Sequence, residues 1–525
     1  MSVDLIKKWI TVTKSTQGAS SQIVKEKDII VPDGMTDVKK ILLLDGKIRM
    51  DHIDIQANKL MYKGQIDVII LYVPEGINNS VVKMNGSIML DDFMIVEGLE
   101  PSDRVNFNYD IENIHDTILN ERKINIKAII ALDVDVISTK EVYMIEDVKT
   151  EEIVQKKTEE IDIITMVPYK EEKKPLKEEL TIPQNKPIIG EILKQTMKIK
   201  EEQIKRTDEE IIFNCIVEVS TMYKSAEDEN NLEVVSYKIP FNGNIELIRD
   251  DNEAYISCEL EVIPTYTEIK PDYDGEDRII GIECFVNAKY ATYNNELSEV
   301  VNDIYCPGKK VTISGDNESY QNLVFKDTVD FPKKVNLNAE GLSPENNKIF
   351  DAEMVAKIDD KILNGNIMTV EGFVEIKVTY ITEDGANKIG VLEDAVPFEI
   401  ELSTTVNKGD YTNKIEVLVK DVNVVNFSKD NITLDYNLEC DINIYDKKEL
   451  KIIDDIILED MTKEELSEYP SIIVYTVKSG ENLWEIAKRF NTTVDDISEV
   501  NEFEKDAKLK GGEKVIIIKK TKTKF

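Results

Sequence analysis

Three observations predict a mainly β chain, built of three antiparallel β-rich repeats of sandwich-like or barrel-like form and closed by a small α+β module of order βααβ. A strand signature recurs three times along the body. Each copy alternates apolar and polar residues with a period of two. Near the C-terminus that period gives way to a helical one, framed by two short strands.

The elements follow in chain order. Residues 1–30 form an N-terminal segment, with a short helix expected over 3–9. The first repeat spans 31–140, the second 179–310 and the third 325–447, sizes normal for single domains. The signature reads Ile66-Asp67-Val68-Ile69-Ile70-Leu71-Tyr72, then Val217-Glu218-Val219-Ser220-Thr221-Met222-Tyr223, then Val374-Glu375-Ile376-Lys377-Val378-Thr379-Tyr380. Each copy ends on tyrosine and runs into a polar turn, at 73–76, 224–228 and 381–385. A second signature, Ile239-Pro240-Phe241 continuing to Leu247, matches Val396-Pro397-Phe398 continuing to Leu402. The first repeat carries its weaker version over 82–90. Upstream, Val31-Pro32, Ile41-Leu42 and Ile48 match Ile182-Pro183, Ile192-Leu193 and Ile199 at identical spacing. Phe331-Pro332 is the nearest counterpart in the third repeat. Further strands are expected at 124–129, 256–262 and 432–438.

Two charged stretches separate these blocks. Residues 141–178, dense in Glu and Lys, read as a linker with partial helix or a β stretch near 161–166. Residues 448–470 read as a tether, on which the terminal module swings and gains effective concentration near a partner. Within the tether, Thr462-Lys463-Glu464-Glu465 has the pattern of a capping box for a short helix.

Composition narrows the function. The chain has 525 residues, 42% of them hydrophobic, enough for several cores. A net charge of -37 argues against nucleic acid as a partner, because phosphates would be repelled. From Ser471 onward, 11 basic residues face 9 acidic ones, so this module stands at +2 and the remainder at -39. A slightly basic head on an acidic body suits an acidic protein or an anionic wall polymer. The cysteines at 215, 258, 284, 306 and 440 form no Cys-x-x-Cys pair, which points to a reducing compartment. Residues 1–10 show no sustained apolar run, so no secretory signal is expected. No stretch approaches the 18 apolar residues of a membrane span. His52 and His115, the only histidines, sit in no zinc-like or triad-like pattern. No phosphate-binding loop, nucleophile elbow or His-Glu-x-x-His motif occurs. The expectation is a protein that binds and places, with no enzyme activity, cofactor or metal.

The terminal module, 471–519, carries the sharpest local signals. Asn482 is placed to cap the first helix, with Glu485 completing a capping box. Leu483, Ile486, Ala487 and Phe490 share one face of it. Thr493 caps the second helix, where Asp495 and Asp496 favour the positive end of the dipole. Ile497 and Val500 form the inner face of that helix. Tyr475, Val477, Val515 and Ile517 are expected beneath the helices. Trp484 faces away from the module's own core by helical phase.

This module resembles the LysM domain, best known for binding the N-acetyl sugars of peptidoglycan and chitin. The resemblance places the ligand groove at Ser479, Gly480, Glu481, Asn482 and Leu483, with Asn501, Glu502 and Phe503 on the facing loop. Trp484 would anchor a sugar or a protein. The departures are Glu481-Asn482, where many LysM domains have Asp-Thr, and Ile518, where many have proline. The three repeats resemble the SPOCS domain of clostridial spore-formation proteins. The whole arrangement is similar to the SipL-type family of spore coat morphogenetic proteins, functional counterparts of SpoVID. That resemblance implies an adaptor in the mother-cell cytoplasm at the forespore surface. Its LysM module would bind the morphogenetic ATPase SpoIVA, and its repeats would offer surfaces for self-association or for other coat proteins. The alternative is a peptidoglycan-binding protein that acts at the cell or spore wall.

Overall fold

The computed structural model describes residues 3–76, 80–207, 209–247, 253–383, 388–406, 411–504, 507 and 509–518. The last two residues of the turn at 381–385, and residue 519 of the terminal module, lie outside the described residues.

The alternating runs fold as antiparallel strands, and six of them make one unit. In the first unit β1 (Asp4–Ile30), β6 (Lys123–Lys149) and β5 (Arg104–Asn120) form one sheet, in the order β1-β6-β5. The second sheet holds β2 (Val38–Gln56), β3 (Lys59–Pro74) and β4 (Val82–Ile95), in the order β2-β3-β4. Tyr62, Ile66, Val68, Ile70 and Tyr72 of β3 face Ile124, Ile126, Ala128, Ile130, Leu132 and Val134 of β6 across one apolar core. This is a sandwich whose inner faces follow the pleat.

The same topology occurs twice more. The second unit comprises β7 (Gln155–Thr181), β8 (Ile189–Arg206), β9 (Glu210–Ser225), β10 (Leu232–Glu246), β11 (Glu253–Pro271) and β12 (Asp277–Tyr305). Its sheets are β11-β12-β7 and β10-β9-β8. After β13 (Lys309–Ser314) comes the third unit, with β14 (Asn317–Asn338), β15 (Asn347–Asn364), β16 (Ile367–Thr382), β17 (Ile389–Ser403), β18 (Tyr411–Ser428) and β19 (Asn431–Lys451). Its sheets are β14-β19-β18 and β15-β16-β17. The three signatures are the middle strands β3, β9 and β16. Their terminal tyrosines share one job in the first two units: the Tyr72 hydroxyl donates to the Thr36 carbonyl at 2.9 Å, and that of Tyr223 to the Pro187 carbonyl at 3.0 Å. Each bond pins the loop that leads into the preceding strand, β2 or β8.

Several expectations need correction. Residues 3–9 lie in β1 rather than a helix, and residues 4–30 pair along β6. The stretch 141–178 is no linker: 141–149 continue β6, and 155–178 belong to β7. Its charges lie on edge strand β7 and on the part of β6 that β5 no longer covers, where Lys, Glu and even Pro175 of β7 are tolerated because one side of the strand has no partner in the sheet. The tether is structured as well. It holds the end of β19, then β20 (Asp455–Asp460) paired with β13, then α1 (Lys463–Ser467). Phe331-Pro332 sits inside edge strand β14; the true counterpart of Val31 and Ile182 is Ala339. Their amides bond the carbonyls of Arg122, Arg278 and Asp430 in the matching turns. Register also moves the second signature of the first unit. Tyr72 pairs with Val82, Tyr223 with Glu233 and Tyr380 with Gly390, so Ile88-Met89-Leu90 stands where the others have Ile239-Pro240-Phe241 and Val396-Pro397-Phe398.

The units are joined in a threefold manner. A β-bulge follows Ile41, Ile192 and Ile349, and a bulge re-aims the extra side chain. The extra residues Leu42, Leu193 and Phe350 all enter one apolar hub shared by the three units, with Leu43, Leu71, Met222 and Ile381. Ion pairs cross each boundary: Lys194–Asp45 at 2.8 Å, Lys348–Glu233 at 2.9 Å and Lys357–Asp110 at 2.9 Å. Beyond the sandwiches, the β1/β6, β7/β12 and β14/β19 ribbons continue as three arms. They meet in a layer of Ile10, Val12, Val142, Met144, Ile163, Val300, Tyr320 and Leu450. A second layer, with Ile145, Val148, Val301, Ile304 and Ile456, follows farther along.

Candidate functional site

The terminal module forms at the far end of these arms. It consists of β21 (Ile472–Thr476), α2 (Leu483–Arg489), α3 (Val494–Asn501) and β22 (Lys514–Ile518), with the two strands paired antiparallel. Leu483, Ile486, Ala487, Ile497, Val477, Val515 and Ile517 are its buried core, as their spacing predicts. Asn482 Oδ1 accepts from the Glu485 amide at 3.0 Å, so the cap forms; the return bond of a capping box is absent from the described contacts of that helix. Thr493 caps α3 through the Asp496 amide at 3.0 Å. In α1, by contrast, the box is complete, with Thr462 and Glu465 each bonding the other's backbone.

The candidate groove residues divide by role. Glu481 turns inward and accepts from the Lys478 amide at 2.8 Å, the Tyr475 hydroxyl at 2.8 Å and Arg489 Nη1 at 2.6 Å. The backbone bond and the two side-chain donors hold its carboxyl down to about 2. This carboxylate braces the loop and is spent on it. Asn501 is likewise internal. Its side chain bonds the Ile497 carbonyl and both backbone groups of Ile516, tying α3 to β22. Leu483 is core, and Phe503 packs against that core. Ser479, Gly480, Asn482 and Glu502 remain exposed around the loops. Gly480 has φ +88°, which an L side chain rarely adopts, and open space around it. The loop therefore presents bare main chain to solvent. The outer face of β21 and β22 is apolar and exposed, with Ile472, Val474 and Ile516 on it.

Trp484 has a partner that the sequence does not reveal. Its ring meets Tyr305 edge-on at 4.8 Å, and its Nε1 donates to Asp303 Oδ2 at 3.0 Å. Lys488 Nζ closes on the same carboxylate at 2.7 Å. Asp303 lies at a register shift in β12, which turns it toward the module. Burial alone would raise the Asp303 carboxyl, but the hydrogen bonds from Lys488 and Trp484 outweigh it and hold it below the usual range. Asn491 Oδ1 accepts from the Gly308 amide at 2.8 Å, adding a second clasp. The module is therefore seated on the arm of the second unit, and the swinging tether expected from sequence is not what forms. Sequence reasoning missed Asp303 and Tyr305 because nothing local marks a contact between residues 181 apart.

Chemistry elsewhere is quiet. His52 and His115 are exposed on strands. Among the described residues, no group of three or more His, Cys, Asp or Glu side chains could hold a metal ion. All five cysteines are free, and burial pushes the thiols of Cys215, Cys284 and Cys440 up to about 11, which keeps them protonated. Among the described residues, no helix is long and apolar enough to cross a membrane.

Comparison with known families agrees with the shapes described. Residues 37–119 and 188–267 match the family described as SipL, SPOCS domain. These segments run from β2 to β5 and from β8 into β11, so the flanking strands of each sandwich lie outside them. The third unit, outside the matched segments, repeats their strand order. Residues 475–517 match the LysM domain. Both are non-catalytic binding and structural domains. No curated protein matches the chain.

Proposed function

We propose, from the premise that this chain is a SipL-type protein with SPOCS domains and a C-terminal LysM domain, that it is a non-enzymatic adaptor of spore coat assembly. One observation carries the reading. The LysM domain turns Trp484 back onto its own body and leaves the apolar strand face of Ile472, Val474 and Ile516 to solvent. An exposed aliphatic face with Lys514 beside it suits a protein partner that brings apolar side chains and carboxylates. The partner we assign is the morphogenetic ATPase SpoIVA, met in the mother-cell cytoplasm at the forespore surface. The three units then offer separate surfaces to other coat proteins.

The test is a binding measurement between the full chain and SpoIVA. Val474→Glu, on an exposed position, should weaken the complex at least about tenfold, which is about 1.4 kcal/mol. Equal binding by both chains would move the docking role into the units. A second reading, peptidoglycan binding, is favoured by the bare main chain at Gly480, which can bond acetamido groups. Retention of the full chain on purified wall, without affinity for SpoIVA, would select it.

A further inference from the structure

The three units supply an internal control for reading their surfaces. The edge strands β4, β10 and β17 occupy the same place, each with one neighbour in its sheet. Through the register given above, Met89 corresponds to Pro240 and Pro397, Asp91 to Asn242 and Glu399, Phe93 to Asn244 and Glu401, and Ile95 to Glu246 and Ser403. Two edges are thus closed to further pairing by proline and by polar side chains, the usual protection of an open strand. The first edge has no proline, and Asp91, paired with Lys63 at 3.2 Å, is the one charged residue in its outward row. Met89, Phe93 and Ile95 are 62%, 48% and 66% exposed in one outward row. Lys27 Nζ takes the Ser87 carbonyl at 2.6 Å, and farther along Asp92 accepts from Lys25 Nζ and from the Phe93 amide, each at 2.9 Å, contacts that a second strand would have to replace.

We propose that the 88–95 edge of β4 is a strand-pairing surface for a second copy of this chain. The apolar residues of the row are self-complementary under a twofold axis, on which the two Asp92 side chains, each neutralised by its own Lys25, face one another. Antiparallel pairing centred on Asp92 sets Met89 of one copy beside Ile95 of the other, and Asp91 beside Phe93. Lys59 Nζ already lies 3.9 Å above the Phe93 ring, so each Asp91 carboxylate meets the ammonium of the other copy. The two three-stranded sheets join into one of six strands, an isologous contact in which main-chain bonds give affinity and the outward row gives register. Because the sister edges are blocked, pairing stops at two copies. This inference is independent of which partner the LysM domain binds.

The sister units also supply the test. The full chain is compared with a Met89→Pro, Phe93→Asn, Ile95→Glu variant, which places at each position a residue the same fold already carries in β10. Ile95→Glu alone serves as a proline-free check. Sedimentation across a concentration series should show wild type doubling its mass while the triple variant stays single, with matching thermal unfolding. The single variant should dimerise more weakly. A wild type that stays monomeric overturns the proposal, as does a dimer that survives the triple substitution.

Discussion

Asp303 decides how the LysM domain is held. It receives the Trp484 indole and the Lys488 ammonium together, beside the Tyr305 ring. Asp303→Ala removes both bonds and leaves a half-buried indole N–H unpaired, at a cost of about 1–3 kcal/mol to docking. Amide exchange over α2 in the full chain should rise, while the domain's own core stays protected. Acid should act in the same direction. A carboxyl held below its ordinary 3.8 contributes stability that is whole above that value and drains as pH falls through the lower folded one. The brace inside the domain responds with the same sign, and Glu481 titrates only near 2, far below its ordinary 4.5. Proton-dependent exchange of the loop and of α2, followed separately, would show the order.

Short elements were legible where their signals are local. The caps at Thr462, Asn482 and Thr493 each form, because a side-chain oxygen and an amide three residues on need no tertiary help. Thr462→Ala should cost α1 about 1 kcal/mol, and in a helix of five residues that is enough to unwind it. Loss of amide protection at Leu466 would record it. The middle strands β3, β9 and β16 were also plain in the sequence, since two-residue alternation states which face is buried. The arms were not. Edge strand β7 carries Glu171, Glu172, Lys173 and Lys174 on a ribbon whose apolar residues are sparse, and charge density alone suggests a linker. What makes it a strand is the partner β12, whose paired residues lie 98 to 150 positions away and supply the ladder. Likewise, the six-residue misplacement of the first unit's second signature yields only to register, because Met89 replaces the proline that marks the others.

At the scale of the molecule, the hub makes three units one folding body. Leu193 is fully buried where all three meet, opposite Phe350 and Leu71. Placing a charge there strands it in apolar surroundings. Leu193→Glu should split a single calorimetric transition of the body into separate ones, while each sandwich keeps its own core. A single, merely lowered transition would mean that the ion pairs and arms suffice. The Lys348–Glu233 and Lys357–Asp110 pairs are partly exposed, while Lys194 is buried, so added salt should weaken the joints modestly without parting the units.

The arms have a mechanical meaning. The dozen residues of β6 beyond Ile137 extend roughly 40 Å at ordinary strand rise, past the last residue that β5 covers. Three such ribbons bundled together behave as a strut. Whatever the far end grasps is thereby kept at a set stand-off from whatever the sandwiches touch, so the chain would gauge the gap between two layers as well as link them.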